Sequence, residues 1–188
     1  MNSLLVRGAL VALLLAPLSA AWADRYSDAI AVFKGAGESG KFFDKSYGYA
    51  VFPNIGKGGI GVGGAHGTGH VYVGGKAVGE SKMTQLSIGF QLGGQVYSQI
   101  IFFEDKRAFD EFTSGNFEFG ADASAVAITA GASASATTGG SSASASGGQH
   151  DATTAGTYHK GMAIFTVAKG GLMYQAVVAG QKYSYKRF

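Results

Sequence analysis

The stretch from Ser46 to Gly69, SYGYAVFPNIGKGGIGVGGAHGTG, constrains this chain more than any other part of it. An alternating apolar segment runs into glycines at positions 59, 61 and 63, with Ile60 and Val62 between them. Successive side chains of an extended strand point to opposite faces, so one face here carries branched side chains and the other carries none. A bare face lets another backbone or a helix come close. The expectation is an extended segment over Gly58 to Ala65 that serves as a packing surface.

The surrounding pattern adds elements on both sides. Tyr26, Ile30 and Phe33 recur at helical spacing, with Gly35 just beyond, which predicts a short amphipathic helix. Tyr47 to Phe52 alternates as a strand that Pro53-Asn54 should break. His70 to Val73, Gly74-Gly75 and Lys76 to Val78 predict a hairpin. Leu86, Ile88, Phe90 and Leu92 share one face of the next strand, Gly93-Gly94 turns the chain, and Val96 to Phe103 is apolar enough to be central. Glu104 and Asp105 suit a helix N-terminus whose apolar side is Ala108, Phe109 and Phe112, ended by Ser114-Gly115. Met162 to Ala168 and Leu172 to Val178 predict a last hairpin around Lys169-Gly170-Gly171. The fold class expected is α+β: a mainly antiparallel β sandwich or partial barrel, with an N-terminal helix and one helix after the central strand.

The first 23 residues are expected to be a secretory signal peptide. Arg7 precedes an apolar run from Ala9 to Ala16, and Ala21-Trp22-Ala23 supplies small residues before Asp24. Residues 24–188 then form one domain, with a small-residue Ala/Ser/Gly segment at 130–156 for which a hairpin is favoured over a linker. Export would place the protein in the periplasm, at the outer membrane or outside the cell. The chain has no cysteine, which excludes disulfides, thiol catalysis and cysteine-ligated zinc. Lys and Arg number 15 against 12 Asp and Glu, too small an excess for the broad basic field that nucleic acid requires.

Several motifs imitate chemistry. GAGESGKF, Gly35 to Phe42, contains the glycine and lysine spacing of a phosphate-binding loop, but Phe42 stands where magnesium needs a hydroxyl, and a helix precedes it. No nucleotide partner is expected. Gly56, Gly58 and Gly61 spell a dinucleotide fingerprint without the following helix. His66 and His70 flank Gly67-Thr68-Gly69 and would offer half a metal site if a tight loop turned them together; they are read as exposed loop histidines, with no metal or other cofactor. The serines lack a nucleophile elbow, and no enzymatic activity is expected. Asp122 is read as a turn-forming structural residue. A C-terminal Phe188 is compatible with a small outer-membrane barrel, but Tyr183 and Tyr185 fall on the face opposite it.

The glycine-spaced motif, the FGADAS stretch at Phe119 to Ser124 and the segment Lys160 to Gly180 together resemble the SYLF family, lipid-binding domains related to the yeast actin-regulator proteins. The likeness runs from about Phe42 to Tyr185 and marks Gly59, Gly61, Gly63, Gly120 and Asp122 as structural motif residues. Since eukaryotic members bind phosphoinositide membranes and some bind actin, the resemblance implies a non-catalytic module for anionic phospholipid headgroups or membrane surfaces. Lys41 and Lys45 flank Phe42 and Phe43, and Lys57 sits among the glycines, so these five form the expected lipid-binding rim. Family members often carry basic residues where this chain has His66 and Thr68. An envelope protein as partner, in a structural role, is the alternative.

Overall fold

The computed structural model describes residues 18–60, 62–88, 94–128, 157–169 and 177–188, with side chains described from residue 24 onward except at 60, 87 and 88. Helix α1 (Leu18–Gly35) and a single helical turn, α2 (Gly37–Gly40), lead into the strands. These are β1 (Gly48–Ile60), β2 (Val62–Val73), β3 (Lys76–Ile88), β4 (Gln95–Phe103), β5 (Phe117–Glu118), β6 (Val126–Ile128), β7 (Met162–Lys169) and β8 (Lys182–Arg187), with α3 (Lys106–Phe112) after β4. They form one eight-stranded sheet in the order β5-β8-β3-β2-β1-β4-β7-β6, curled into a half-barrel. The expected partial barrel with few helices is what the chain adopts. Of the pairings, only β6 with β7 is parallel, among the described residues.

The curled sheet buries side chains on both faces. Inside, Phe52, Ile55, Met83, Tyr97, Ile101, Phe103 and Tyr183 close around Phe112 and Ala108 of α3. Outside, α1 lays Tyr26, Ala29 and Phe33 on Val51, Ile100, Phe102 and Phe165. This explains why Val96 to Phe103 is almost unbroken in apolarity: β4 lies between β1 and β7 and is covered above and below. A transmembrane barrel presents its outward face to lipid; here much of that face lies under a helix.

Local signals hold where turn chemistry is strong. Gly74 and Gly75, at φ 58° and 76°, supply the two left-handed residues of a tight hairpin turn. Asp105 caps α3, its carboxylate accepting from the Ala108 amide at 2.8 Å. The phosphate-loop imitation is a helix-to-helix corner, in which the buried Ser39 hydroxyl donates to the Phe33 carbonyl at 2.6 Å.

Three expectations change. Pro53-Asn54 does not end the strand: β1 continues to Ile60, absorbing both residues in a bulge between Val51 and Ile55. The glycine run is not one strand, because β1 and β2 pair antiparallel within it, Gly59 with Gly63 and Gly58 with Gly64. Lys76 to Val78 is only the start of a 13-residue strand reaching Ile88. The 130–156 segment, Phe90, Leu92 and residues 170–176 lie outside the described residues, as does the expected signal peptide up to residue 17.

Candidate functional site

The bulge in β1 builds the feature on which a site can stand. Opposite it on β2 is Gly67, where a Cβ would meet Ile55 Cγ1 at 2.6 Å and the Asn54 carbonyl oxygen at 3.0 Å. A bare residue is therefore needed there for the bulge to close. The Ser98 hydroxyl satisfies the Pro53 carbonyl at 2.7 Å. His66 and Thr68, on either side of Gly67, point to the face that carries α1, since His70 on that face stacks on Tyr26. Arg25 and Tyr26 of α1 form the opposite wall. The result is a pocket of about 210 Å³ lined by Arg25, Tyr26, Pro53, Asn54, His66, Gly67 and Thr68.

Cations gather around it. Lys169, at the end of β7, donates to Asn54 Oδ1 at 2.6 Å. Burial and, secondarily, the Arg25 charge push the Lys169 amine down, while Asp28 partly offsets them. Lys82 is the cross-strand partner of Thr68. One continuous outer-face row crosses the sheet here, through Lys169, Val96, Gly56, His66, Thr84 and Lys182. The last of these pairs with Glu118 at 3.6 Å.

Toward the β1–β2 turn the same face becomes apolar and bare. Gly64 and Leu86 are paired one pleat beyond that row and Val62 lies one pleat further, about 7 and 13 Å from it. Leu86 is 86% exposed, Val62 68% and Val96 43%, while Gly56 and Gly58 have open space beside them. Large apolar side chains clustered at one end of a sheet, behind which cations are aligned, form an amphipathic edge.

The expected rim residues do not meet. Phe42 is 5% exposed, its ring 5.5 Å from that of Phe102 and 5.2 Å from that of Phe165, so it belongs to the core under α1. Phe43 is half-buried against Tyr49 and Phe102. Lys41 and Lys45 are exposed near the start of β1. Lys57 is nine strand residues along, about 30 Å away, and faces the interior beside Ala65. It is 8% exposed, and burial pushes its amine down. Periodicity could not separate these lysines, because the bulge shifts the register between them.

The motif residues have clear positions. Gly59, at φ 150°, has no room for a Cβ against the Gly63 backbone. Gly61 lies outside the described residues. A Cβ on Gly120 would stand 2.7 Å from Asp122 Oδ1. Asp122 accepts from Lys160 at 2.7 Å and His159 at 2.9 Å, which hold its carboxyl well below the usual carboxylate range. It thus ties the β5–β6 connection to the turn before β7, beside a second pocket of about 130 Å³. His66 and His70 sit four residues apart on one face of β2 rather than facing each other across a loop. No group of three metal-ligating side chains occurs among the described residues.

Arg25, Asn54, Lys169, Val62, Leu86 and Val96 were not singled out from sequence as site residues. The apolar triplet had a signal, since it flanks the glycine run and the Gly93-Gly94 pair in the sequence; the cations come from three distant segments and had none.

A search of characterised proteins returned no match. The profile of the family described as Ysc84, Las17-binding protein actin regulator, matches residues 84–184, more than half of the chain. The match takes in the end of β3 from Thr84, β4, α3, the Asp122 turn and β7, while α1, β1, β2 and most of β3 precede it. The chain belongs to this family, whose SYLF domain its glycine-spaced and FGADAS motifs resemble.

Proposed function

We propose that this protein is a non-catalytic module that docks on anionic phospholipid surfaces through the β1–β2 end of its sheet. The observation that carries the reading is the exposure of Val62, Leu86 and Val96 on one face, with Lys169 beside Val96 and Lys82 and Arg25 behind. Apolar side chains at such an edge gain by entering the acyl boundary, and each nearby cation adds at most about 1 kcal/mol at an anionic surface. Family membership supports the reading through the lipid binding of SYLF relatives. Export to an envelope compartment fits it, with phosphatidylglycerol-type lipids as the available anionic surface.

Vesicle flotation tests it. Anionic vesicles should carry the folded protein in a salt-sensitive way, and Val62→Asp with Leu86→Asp should remove that binding. Binding that survives the double substitution but is lost in Lys41→Ala with Lys45→Ala would move the surface to the other end of the sheet. No flotation, with one stoichiometric protein recovered on the same apolar edge, would replace lipid by a protein partner, the kind of ligand that the family's description names.

A further inference from the structure

We propose that the pocket between α1 and the Pro53-Asn54 bulge binds a phosphate-class anion, either a lipid headgroup or a free phosphate ester. The inference deepens the surface-docking reading and rests on it for the lipid source alone.

The pocket has the donors such a ligand needs. Arg25 brings a guanidinium from α1, whose planar fork matches phosphate oxygens. Thr68 brings a hydroxyl and His66 an imidazole from β2, and Asn54 a side-chain amide from the bulge. Lys169 is held at the rim by Asn54, and Lys82 stands across from Thr68. Three elements, α1, β1 and β2, thus line one depression with donors and β7 and β3 bring cations beside it, while the carboxylates close enough to oppose them are Asp28, which acts on Lys169, and Glu80, which lies 4.0 Å from Lys82.

Size and position agree with this chemistry. A depression of about 210 Å³ has room for one phosphate group with its bound waters. The pocket opens on the outer face about 7 to 13 Å behind Leu86 and Val62. Apolar groups entering the acyl boundary would therefore leave the pocket at headgroup level. Bringing Arg25 and Lys169 together costs repulsion that a bound anion would relieve.

The test is a nuclear magnetic resonance titration of the folded chain with inorganic phosphate and with glycerol 3-phosphate, against sodium chloride at equal ionic strength. Saturable shifts should appear at the amides of Asn54, Gly67 and Thr68. Arg25→Gln and Lys169→Gln should each weaken them about tenfold, Lys169→Arg should restore them, and Lys41→Gln should change nothing. Shifts that sodium chloride reproduces, or that ignore both substitutions, would overturn the proposal. Phosphate binding without flotation would keep the pocket, assign it to a soluble ester and remove the surface reading. Flotation sensitive to Val62→Asp with Leu86→Asp, but indifferent to Arg25→Gln and Lys169→Gln and without phosphate shifts, would keep the surface reading and remove the pocket.

Discussion

The ring of Tyr26 lies flat on that of His70, centroids 3.9 Å apart and planes 6° from parallel, and this contact fastens α1 to β2 beside the pocket. Phe188 closes the imidazole's edge at 5.2 Å. Burial pushes the His70 pKa below its ordinary value, while Glu80 pulls it the other way. The neutral ring is therefore the one that favours the folded state. Its contribution is complete above about pH 6.5 and is lost as pH falls through the lower folded value. Thermal unfolding followed from pH 7.5 down to pH 5 should show a steeper loss for the native chain than for His70→Phe. Equal slopes would show that His70 does not carry the acid sensitivity.

Gly59 and Gly58 separate close approach from mere composition. Gly59→Ala forces a Cβ into the Gly63 backbone at a φ that side chains rarely adopt, and should cost about 1–3 kcal/mol. Gly58→Ala meets open space and should stay within about 0.5 kcal/mol of the native chain. Urea unfolding of the two variants provides the comparison.

Phe42 tests which residues near α2 are core. Phe42→Ala should cost about 3–5 kcal/mol, because its ring is enclosed by Phe102, Tyr158 and Phe165. Lys41→Ala and Lys45→Ala should each fall within about 0.5 kcal/mol. A small loss at Phe42 would return that ring to the surface.

Inside the half-barrel, Gln181 joins Gln99, Tyr97 and Tyr183 in a buried hydrogen-bonded group, accepting from the Tyr183 hydroxyl at 2.6 Å and donating to Tyr97 at 3.2 Å. Gln181→Leu strands those partners, at about 1–3 kcal/mol for each group left unpaired. Calorimetric unfolding should therefore show a marked drop for Gln181→Leu and a smaller one for Gln181→Glu at a pH where the carboxyl is protonated.

Local chemistry determined much of the fold by itself. The Gly74-Gly75 turn, the Asp105 cap, the helical spacing of Tyr26, Ile30 and Phe33 and the continuous apolarity of β4 each act within a few residues, so their patterns are legible without the fold. The parity that set Tyr183 and Tyr185 apart from Phe188 held as well, Tyr183 pointing inward and Phe188 packing on His70 outside. Tertiary structure decided the rest. Alternation counts faces only while the register is unbroken, and the bulge at Pro53-Asn54 shifts it, so Lys57 turned inward, away from Lys41 and Lys45. The glycine run reads equally well as a strand or as a hairpin closing on itself, and the pairing of Gly59 with Gly63 chose the hairpin. The pocket belongs to that second class, since Arg25, Asn54, Thr68 and Lys169 become neighbours only when α1 lies across the curled sheet.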